Sequence, residues 1–445
     1  MNPQFSRQKV FYSILNLLGS IIDHKRYADR EIGNLFKNKE FTESEKAAIV
    51  EVVYGMLRNR NWIDYTIEKT SGVRIPGINP KTVNIFRICA YQALYSSASS
   101  AGILNNAVAL SSHHENFSGF VERTVETMLR NKDSIVFPDK KECLHEYISV
   151  LHSHPVWIVE KWLREFGHSE EVIALCRANN IAPPLTIRIN PLKTDAEALG
   201  KSLNAEGFVS LRTPFSPYGL ILEKKAGIFR TRAFAGGKFE VMDEGSQLIT
   251  LLTCAGAGEC IVDACAGNGG KTLFLSGLMK NRGKIIACDP VKSKLENLIR
   301  RAKRAGASNI EAIDTDNLGK YLERADCVLI DAPCSGMGVF RRNPDAKWRL
   351  DQRDITELAE KQRKILEDYS RLVKSGGRLV YATCTVSKEE NEDVVKAFLN
   401  ENREFEIMPP DLSIPGSLTG EGFFRLLPHI HNTDGFFGAV MRKRE

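Results

Sequence analysis

The sequence predicts three folded parts: an all-α N-terminal bundle, a small α/β module, and a doubly wound, Rossmann-like α/β domain. Three observations carry this. Apolar residues recur at helical spacing, with no strand alternation, through the first 145 or so residues. Two short alternating strands flank a helical stretch between 185 and 224. From 260 onward, strand-length apolar runs rich in β-branched residues alternate with amphipathic helices, the pattern of a parallel sheet covered on both faces.

In the first part, expected to span 1–145, Val10, Ile14, Leu17, Leu18 and Ile21 share one face of a helix. No small-residue cleavage site follows, so a signal peptide is not expected. Ile49, Val52, Val53, Met56 and Leu57 repeat with the same period, ending at Arg58, Arg60 and Trp62, and 82–96 reads as a further buried helix. His154-Pro155 opens a new section, because the residue before proline disfavours helix. The second part, 150–237, holds an amphipathic helix over 157–176, a strand at LTIRIN (185–190), a helix over 194–206 stopped by Gly207, and a strand at GLILEK (219–224). The third part, 238–445, has strands at CIVDAC (260–265), KIIACD (284–289), ADCVLIDAP (325–333) and GRLVYATC (377–384), with helices over 271–279, 293–305 and 355–373. Gly376-Gly377 is the expected stop of the last helix.

Composition narrows the function classes. The chain has 445 residues, is 43% hydrophobic and carries a formal charge of +6. That balance permits a nucleic-acid partner without requiring one. No run of about 18 apolar residues appears, so no membrane span is expected. The ten cysteines include no C-x-x-C pair, which argues against a zinc site, and without a secretory signal they should be reduced thiols in a cytoplasm.

The glycine-rich sequence VDACAGNGGKT (262–272) joins a strand to a helix. Such a turn lets backbone approach a ligand closely and offers the free N–H groups of a helix start. A phosphate-binding P-loop would need glycine where Cys265 stands, and a dinucleotide fingerprint would need glycine at Thr272. Acidic residues before the loop (Asp263) and after the next strand (Asp289) fit an adenosyl group instead, with Asp289 on the ribose hydroxyls and Asp316, or alternatively Asp314, at the adenine amino group.

Two cysteines end two consecutive strands, in DAPCSG (331–336) and ATCT (382–385). Ligands of open α/β sheets bind at the carboxyl ends of strands, so Cys334 and Cys384 should face the crevice that holds the glycine loop. A thiol there has a definite use. Carbon 5 of cytosine is a poor nucleophile, but a thiolate added at carbon 6 makes it an enamine that attacks a sulfonium methyl. Asp331 would polarise the ring by hydrogen bonding to it. Downstream, FRRNPDAKWRL (340–350) gathers Arg341, Arg342, Lys347, Trp348 and Arg349, a basic and aromatic group suited to RNA phosphates and bases.

At these motifs the chain resembles the Sun-type RNA cytosine-5 methyltransferases, in their bacterial small-subunit rRNA branch. The resemblance rests on DACAGNGGKT, DAPCSGMGVFRRNPDAKW, QRKIL, GGRLVYATCTVSKEEN and TDGFFGAVMRK, on HPVWIVEKW and PPLTIRIN before them, and on EVVYGMLRNRNWID, which is similar to the RNA-binding NusB domain. It implies a NusB-like domain, a ferredoxin- or RRM-like module and an S-adenosyl-L-methionine-dependent catalytic domain. It also implies Cys384 as nucleophile and Cys334 as the residue that assists release. The cofactor contacts it implies are Cys265, Ala266, Gly267, Asn268, Gly269, Gly270, Lys271, Asp289, Asp316 and Asp331. The family loop reads C-A-A-P-G-G-K, whereas Gly267-Asn268 stands here, so a more flexible loop is expected. The implied partner is RNA, in the form of small-subunit rRNA, bound by a monomer without membrane or metal. The rival readings are a DNA cytosine methyltransferase, disfavoured by Ser335 after Pro-Cys; an ATP-binding protein, disfavoured by Cys265; and a non-catalytic RNA-binding or antitermination-type factor, disfavoured by the intact cysteines and loop.

Overall fold

The computed structural model describes residues 3–112, 118–224, 226–410, 417–418 and 422–445; the side chains of 3–7, 316 and 417–418 are outside that description. The chain forms two compact units, Met1–Ile181 with Phe340–Leu350, and Ala182–Val339 with Asp351–Glu445.

The first unit is helical, as its period predicts. Helix Glu43–Arg58 starts with a capping box between Thr42 and Glu45, and helix Pro80–Tyr95 starts with Asn79 capping and proline in the first turn. Their apolar faces meet at Val53, Met56, Phe86 and Ile88, all 2% exposed or less. Each such side chain contributes roughly 1.5–3 kcal/mol on burial. Inside this core, Asp64 accepts two hydrogen bonds from Arg87 at 2.7 and 2.8 Å. The helix expected over 157–176 is two helices, Val156–Phe166 and Ser169–Asn179, because Gly167 takes φ +74 and ends the first. Both helices, and the 340–350 segment, fall in the first of the two compact units.

Among the described residues the second unit holds two sheets. Strands β1 (Leu185–Ile189), β2 (Ser210–Arg212), β3 (Gly219–Leu222) and β4 (Phe239–Val241) form an antiparallel sheet in the order β2-β3-β1-β4. Helix Ala196–Ala205 supplies Leu199 and Leu203 to its core. The larger sheet contains β5 (Cys260–Asp263), β6 (Lys284–Cys288), β7 (Ile310–Ile313), β8 (Ala325–Asp331), β9 (Val373–Thr383), β10 (Phe405–Met408), β11 (Ser417–Leu418), β12 (Phe424–Leu426) and β13 (Phe436–Lys443). Its order is β11-β12-β13-β9-β8-β5-β6-β7, with β10 also on β13. Strands β5 to β9 run parallel, and β13 lies antiparallel to β9. The helix expected over 355–373 is Gln352–Ser370, and Gly376-Gly377 lies inside β9 instead of stopping the helix. Glycine at 377 is required there, since a Cβ would come within 3.1 Å of three atoms of Val373, Lys374 and Ala325.

Among the described residues no helix is long and apolar enough to cross a membrane. No group of three or more His, Cys, Asp or Glu among them could hold a metal ion.

Candidate active site

Strand order fixes where the chemistry-bearing residues meet. β5 lies between β6 and β8, and β8 between β5 and β9, so the loops after β5, β6, β8 and β9 share one edge of the sheet.

The loop after β5 turns into helix Gly270–Leu278. Gly267 and Gly269 have φ of +54 and +83, values natural to glycine. A Cβ on Gly269 would lie 2.5 Å from Leu298 Cγ, whereas one on Gly267 would meet nothing within 4 Å. In this loop Gly267 N–H donates to Asp289 Oδ2 at 3.1 Å, and the Asn268 carbonyl accepts from Arg301 Nη1 at 2.6 Å. Asp289 also accepts from Val291 N–H at 2.9 Å and pairs with Lys294 at 3.3 Å. A cavity of about 200 Å³ is bounded by Asp263, Cys265, Gly267, Asn268, Lys271 and Asp331. Another, of about 240 Å³, is bounded by Asp289, Pro290, Leu295, Ile299, Ile313 and Asp314. Of the two adenine candidates, Asp314 lines this second cavity, while the side chain of Asp316 is outside the described residues.

Electrostatics single out three groups here. Asp263 is buried, and its Oδ2 accepts from Thr272 Oγ1 at 2.6 Å while Oδ1 has no protein partner. Burial lifts its pKa to about 6, against the opposing Thr272 hydrogen bond. Lys271 Nζ meets Asp331 Oδ2 at 2.6 Å. Burial acts to lower the Lys271 pKa, but Asp331 and then Cys384 outweigh it and the net displacement is upward, so the ammonium is retained. Cys265 is pushed upward by burial and by the surrounding carboxylates, which favours its protonated thiol.

The two sequence-marked cysteines come together. Asp331 stands opposite Ala382 in the β8–β9 register, and Ala332 N–H donates to Ala382 O at 2.8 Å. Just beyond that pair, Cys334 Sγ lies 3.3 Å from Cys384 Sγ and accepts the Cys384 N–H at 3.3 Å. Cys334 is driven well above the ordinary thiol range, first by its contact with Cys384, then by burial, then by the Cys384 and Glu390 charges. The Cys334 thiol is therefore held in its protonated form.

The 340–350 segment departs from expectation. Its Lys347 is 1% exposed and donates to Arg58 O at 3.0 Å, Ser153 O at 2.6 Å and Asn180 Oδ1 at 3.0 Å. Arg341 is 2% exposed, and its carbonyl accepts from Arg58 Nη2 at 3.1 Å. Trp348 Nε1 donates to Leu57 O at 2.6 Å, and Arg349 pairs with Asp345 at 3.0 Å while stacking over Tyr27. Arg342 is half-buried. The open basic patch expected from the sequence is thus corrected for Lys347 and Arg341, which are buried, while Trp348 and Arg349 are half-buried against residues of the first unit.

Sequence reasoning missed a buried polar cluster beneath the cysteines, made of Ser335, Gln362, Thr385, Glu390 and Asn391, all 7% exposed or less. In the sequence Gln362 reads as part of an apolar helical stripe, and SKEEN (387–391) enters only as part of a family motif. The one available signal was a polar residue on an otherwise apolar face.

Comparison with known proteins agrees with this architecture. Residues 250–442 match the family described as 16S rRNA methyltransferase RsmB/F, 154–228 match its ferredoxin-like domain, and 8–131 match the NusB family. The probable ribosomal RNA small subunit methyltransferase B of Bacillus subtilis (strain 168) is 31% identical over 448 residues, which is 97% of this chain and 98% of that protein. The ribosomal RNA small subunit methyltransferase B of Escherichia coli O6:K15:H31 (strain 536) is 29% identical over 405 residues, covering 87% of this chain and 91% of its own. Among solved structures, the crystal structure of PH0851 aligns with a TM-score of 0.81 at 30% identity, covering 100% of this chain and 99% of that one. With the sheet order, the glycine loop and full-length similarity in agreement, the chain belongs to the RsmB/F family of S-adenosylmethionine-dependent small-subunit rRNA methyltransferases.

Proposed function

We propose that this chain methylates carbon 5 of a cytosine in small-subunit rRNA, with Cys384 as the nucleophile and Cys334 assisting release. The observation that carries this reading is the thiol pair, 3.3 Å apart at the ends of adjacent strands and on the same sheet edge as the glycine loop. A group that only packed would not need two half-buried thiols in matching turns.

The residues present fit the cofactor. Asp263 Oδ1 is a buried acceptor with no protein partner, the backbone at Gly267 leaves open space, and Asp289 and Asp314 border a second cavity. Gly267 to Lys271 would hold the amino-acid end, Asp289 the ribose, and Asp314 or Asp316 the adenine. When bound, S-adenosylmethionine supplies an electrophilic methyl on a sulfonium.

The rest of the chemistry falls to the chain. The Cys384 thiolate forms a bond from Sγ to carbon 6, which moves electron density to carbon 5. The retained Lys271 ammonium stabilises that thiolate beforehand. Asp331, held by Lys271, hydrogen-bonds the ring. After methyl transfer, carbon 5 loses its proton to water and the bond from carbon 6 to Cys384 Sγ breaks. Cys334, which keeps its proton, donates it in a hydrogen bond to the departing sulfur.

The test uses radiolabelled S-adenosylmethionine with small-subunit rRNA and with DNA of the same sequence. Cys384→Ala is expected to abolish methylation of the RNA. Cys334→Ala is expected to leave a protein–RNA adduct that migrates as a shifted band under denaturing conditions. A trapped band in Cys384→Ala, with neither methylation nor a band in Cys334→Ala, would reverse the two roles; full activity in Cys384→Ala would refute the reading.

A further inference from the structure

The buried cluster under the two cysteines is organised around one carboxylate. Glu390 is fully buried, yet its Oε1 accepts from Ser335 N–H at 2.8 Å and from Gln362 Nε2 at 3.0 Å, and its Oε2 accepts from Ser335 Oγ at 2.5 Å. Ser335 Oγ in turn meets Thr385 Oγ1 at 2.8 Å. Ser335 follows Cys334 and Thr385 follows Cys384, so this single group grips the residue after each thiol.

The residues before the thiols are held by the same cluster. Gln362 Nε2 also donates to Pro333 O at 2.9 Å. Asn391, next to Glu390, accepts from Thr383 Oγ1 at 2.5 Å and donates to Thr385 O at 3.1 Å. Tyr381 closes the network, donating to Glu390 O at 2.7 Å. Each cysteine is thereby bracketed on both sides by contacts that converge on Gln362, Glu390 and Asn391.

Stability alone does not account for the arrangement. A buried carboxylate carries a desolvation cost of several kcal/mol, and well-packed apolar residues often replace such networks without loss. What a fully satisfied buried polar network does supply is a single geometry. The Glu390 carboxylate takes its hydrogen bonds from Ser335 and Gln362, so besides the charge it presents to Cys334 it acts on both thiols through the turns that carry them.

We propose that Glu390 is a positioning residue that fixes the two cysteine-bearing turns in one register, so that the Cys334 and Cys384 thiols face one another at the reacting ring. The proposal rests on the methyl-transfer reading of the two cysteines. Its geometric half, the register of the thiols, is measurable without that reaction.

The experiment compares the full-length wild type with Glu390→Gln and Glu390→Ala. The first readout is steady-state methylation of small-subunit rRNA, separated into kcat and KM. A displacement of reacting groups by about 1 Å costs about 100-fold in rate, so kcat is expected to fall about 100-fold in Glu390→Ala and about tenfold in Glu390→Gln, with KM for both substrates within about twofold. The second readout is binding of phenylarsine oxide, which forms two As–S bonds to a close thiol pair and releases water. Wild type is expected to bind one equivalent more than a Cys334→Ala/Cys384→Ala double variant, and Glu390→Ala to lose that equivalent. Unchanged kcat and arsenical binding in folded Glu390→Ala overturns the proposal, as does a loss that resides wholly in KM. If Glu390→Ala does not fold, Glu390→Gln decides by the same criteria. A wild type that binds the arsenical but transfers no methyl group, with the equivalent lost in the Glu390 variants, sinks the methyl-transfer reading and upholds the positioning role.

Discussion

Lys347→Met separates the role that the sequence favours for this lysine from the one its surroundings give it. Methionine keeps the apolar stem and removes the ammonium. Three acceptors then lose their donor: Arg58 O, Ser153 O and Asn180 Oδ1, at 3.0, 2.6 and 3.0 Å. Hydrogen bonds from a charged donor contribute roughly 1.5–3 kcal/mol each, or about 6 kcal/mol in all. Burial opposes this by drawing the Lys347 pKa well down, and removing a buried charge recovers several kcal/mol of desolvation. The balance is a destabilisation of about 3 kcal/mol, because the acceptors stay buried and unpaired.

The assay is built into the sequence. The chain has four tryptophans, Trp62, Trp157, Trp162 and Trp348, and all of them lie in the first unit. Tryptophan fluorescence in urea therefore reports that unit alone. With a slope of about 2 kcal/mol per molar, the midpoint should fall by about 1.5 M. An exposed phosphate contact would behave differently: RNA affinity would drop, the salt dependence would lose about one unit of slope, and stability would hold. A midpoint within about 0.2 M of wild type, together with that lost slope, would refute the structural role.

Two glycines of the cofactor loop should respond differently to alanine. Gly269→Ala drives a Cβ to 2.5 Å from Leu298 Cγ at φ +83, so it should cost about 3 kcal/mol in thermal unfolding and abolish cofactor binding by calorimetry. Gly267→Ala meets open space at φ +54, so stability should fall by only about 1 kcal/mol, and equal losses for the two variants would contradict the loop geometry. Asp263 gives a pH signature. Its folded-state pKa is raised from 3.8 to about 6, so the folded state binds a proton that the unfolded state has released, and stability falls as pH rises through that window. Relative to Asp263→Asn, the cofactor-free wild type should lose up to about 3 kcal/mol between about pH 4 and about pH 7, and parallel melting curves across that range would exclude the shift.

What could be read from the sequence, and what could not, follows from the range of the forces involved. Helical period and β-branched runs are local, so the bundle and the parallel strands were legible, as was the meeting of Cys334 and Cys384, because consecutive parallel strands usually neighbour one another. Chain breaks set by one residue were harder. Gly167 divides one expected helix, and Gly376-Gly377 serves a close approach inside β9 rather than a helix end. Lys347, read as part of an open basic group, and Glu390, given no role, share a cause: a charged residue announces its charge but not its partner. Lys347 and Glu390 sit in runs, DAKWRL and SKEEN, that carry the composition of solvated segments. Each is nonetheless buried, one by three acceptors from distant parts of the chain and the other by donors from a strand end and a helix. Full satisfaction by groups tens to hundreds of residues away leaves no local trace in sequence. It also makes these the positions where a substitution to alanine should do more damage than the composition of their neighbourhood foretells, since removing one group strands several partners at once.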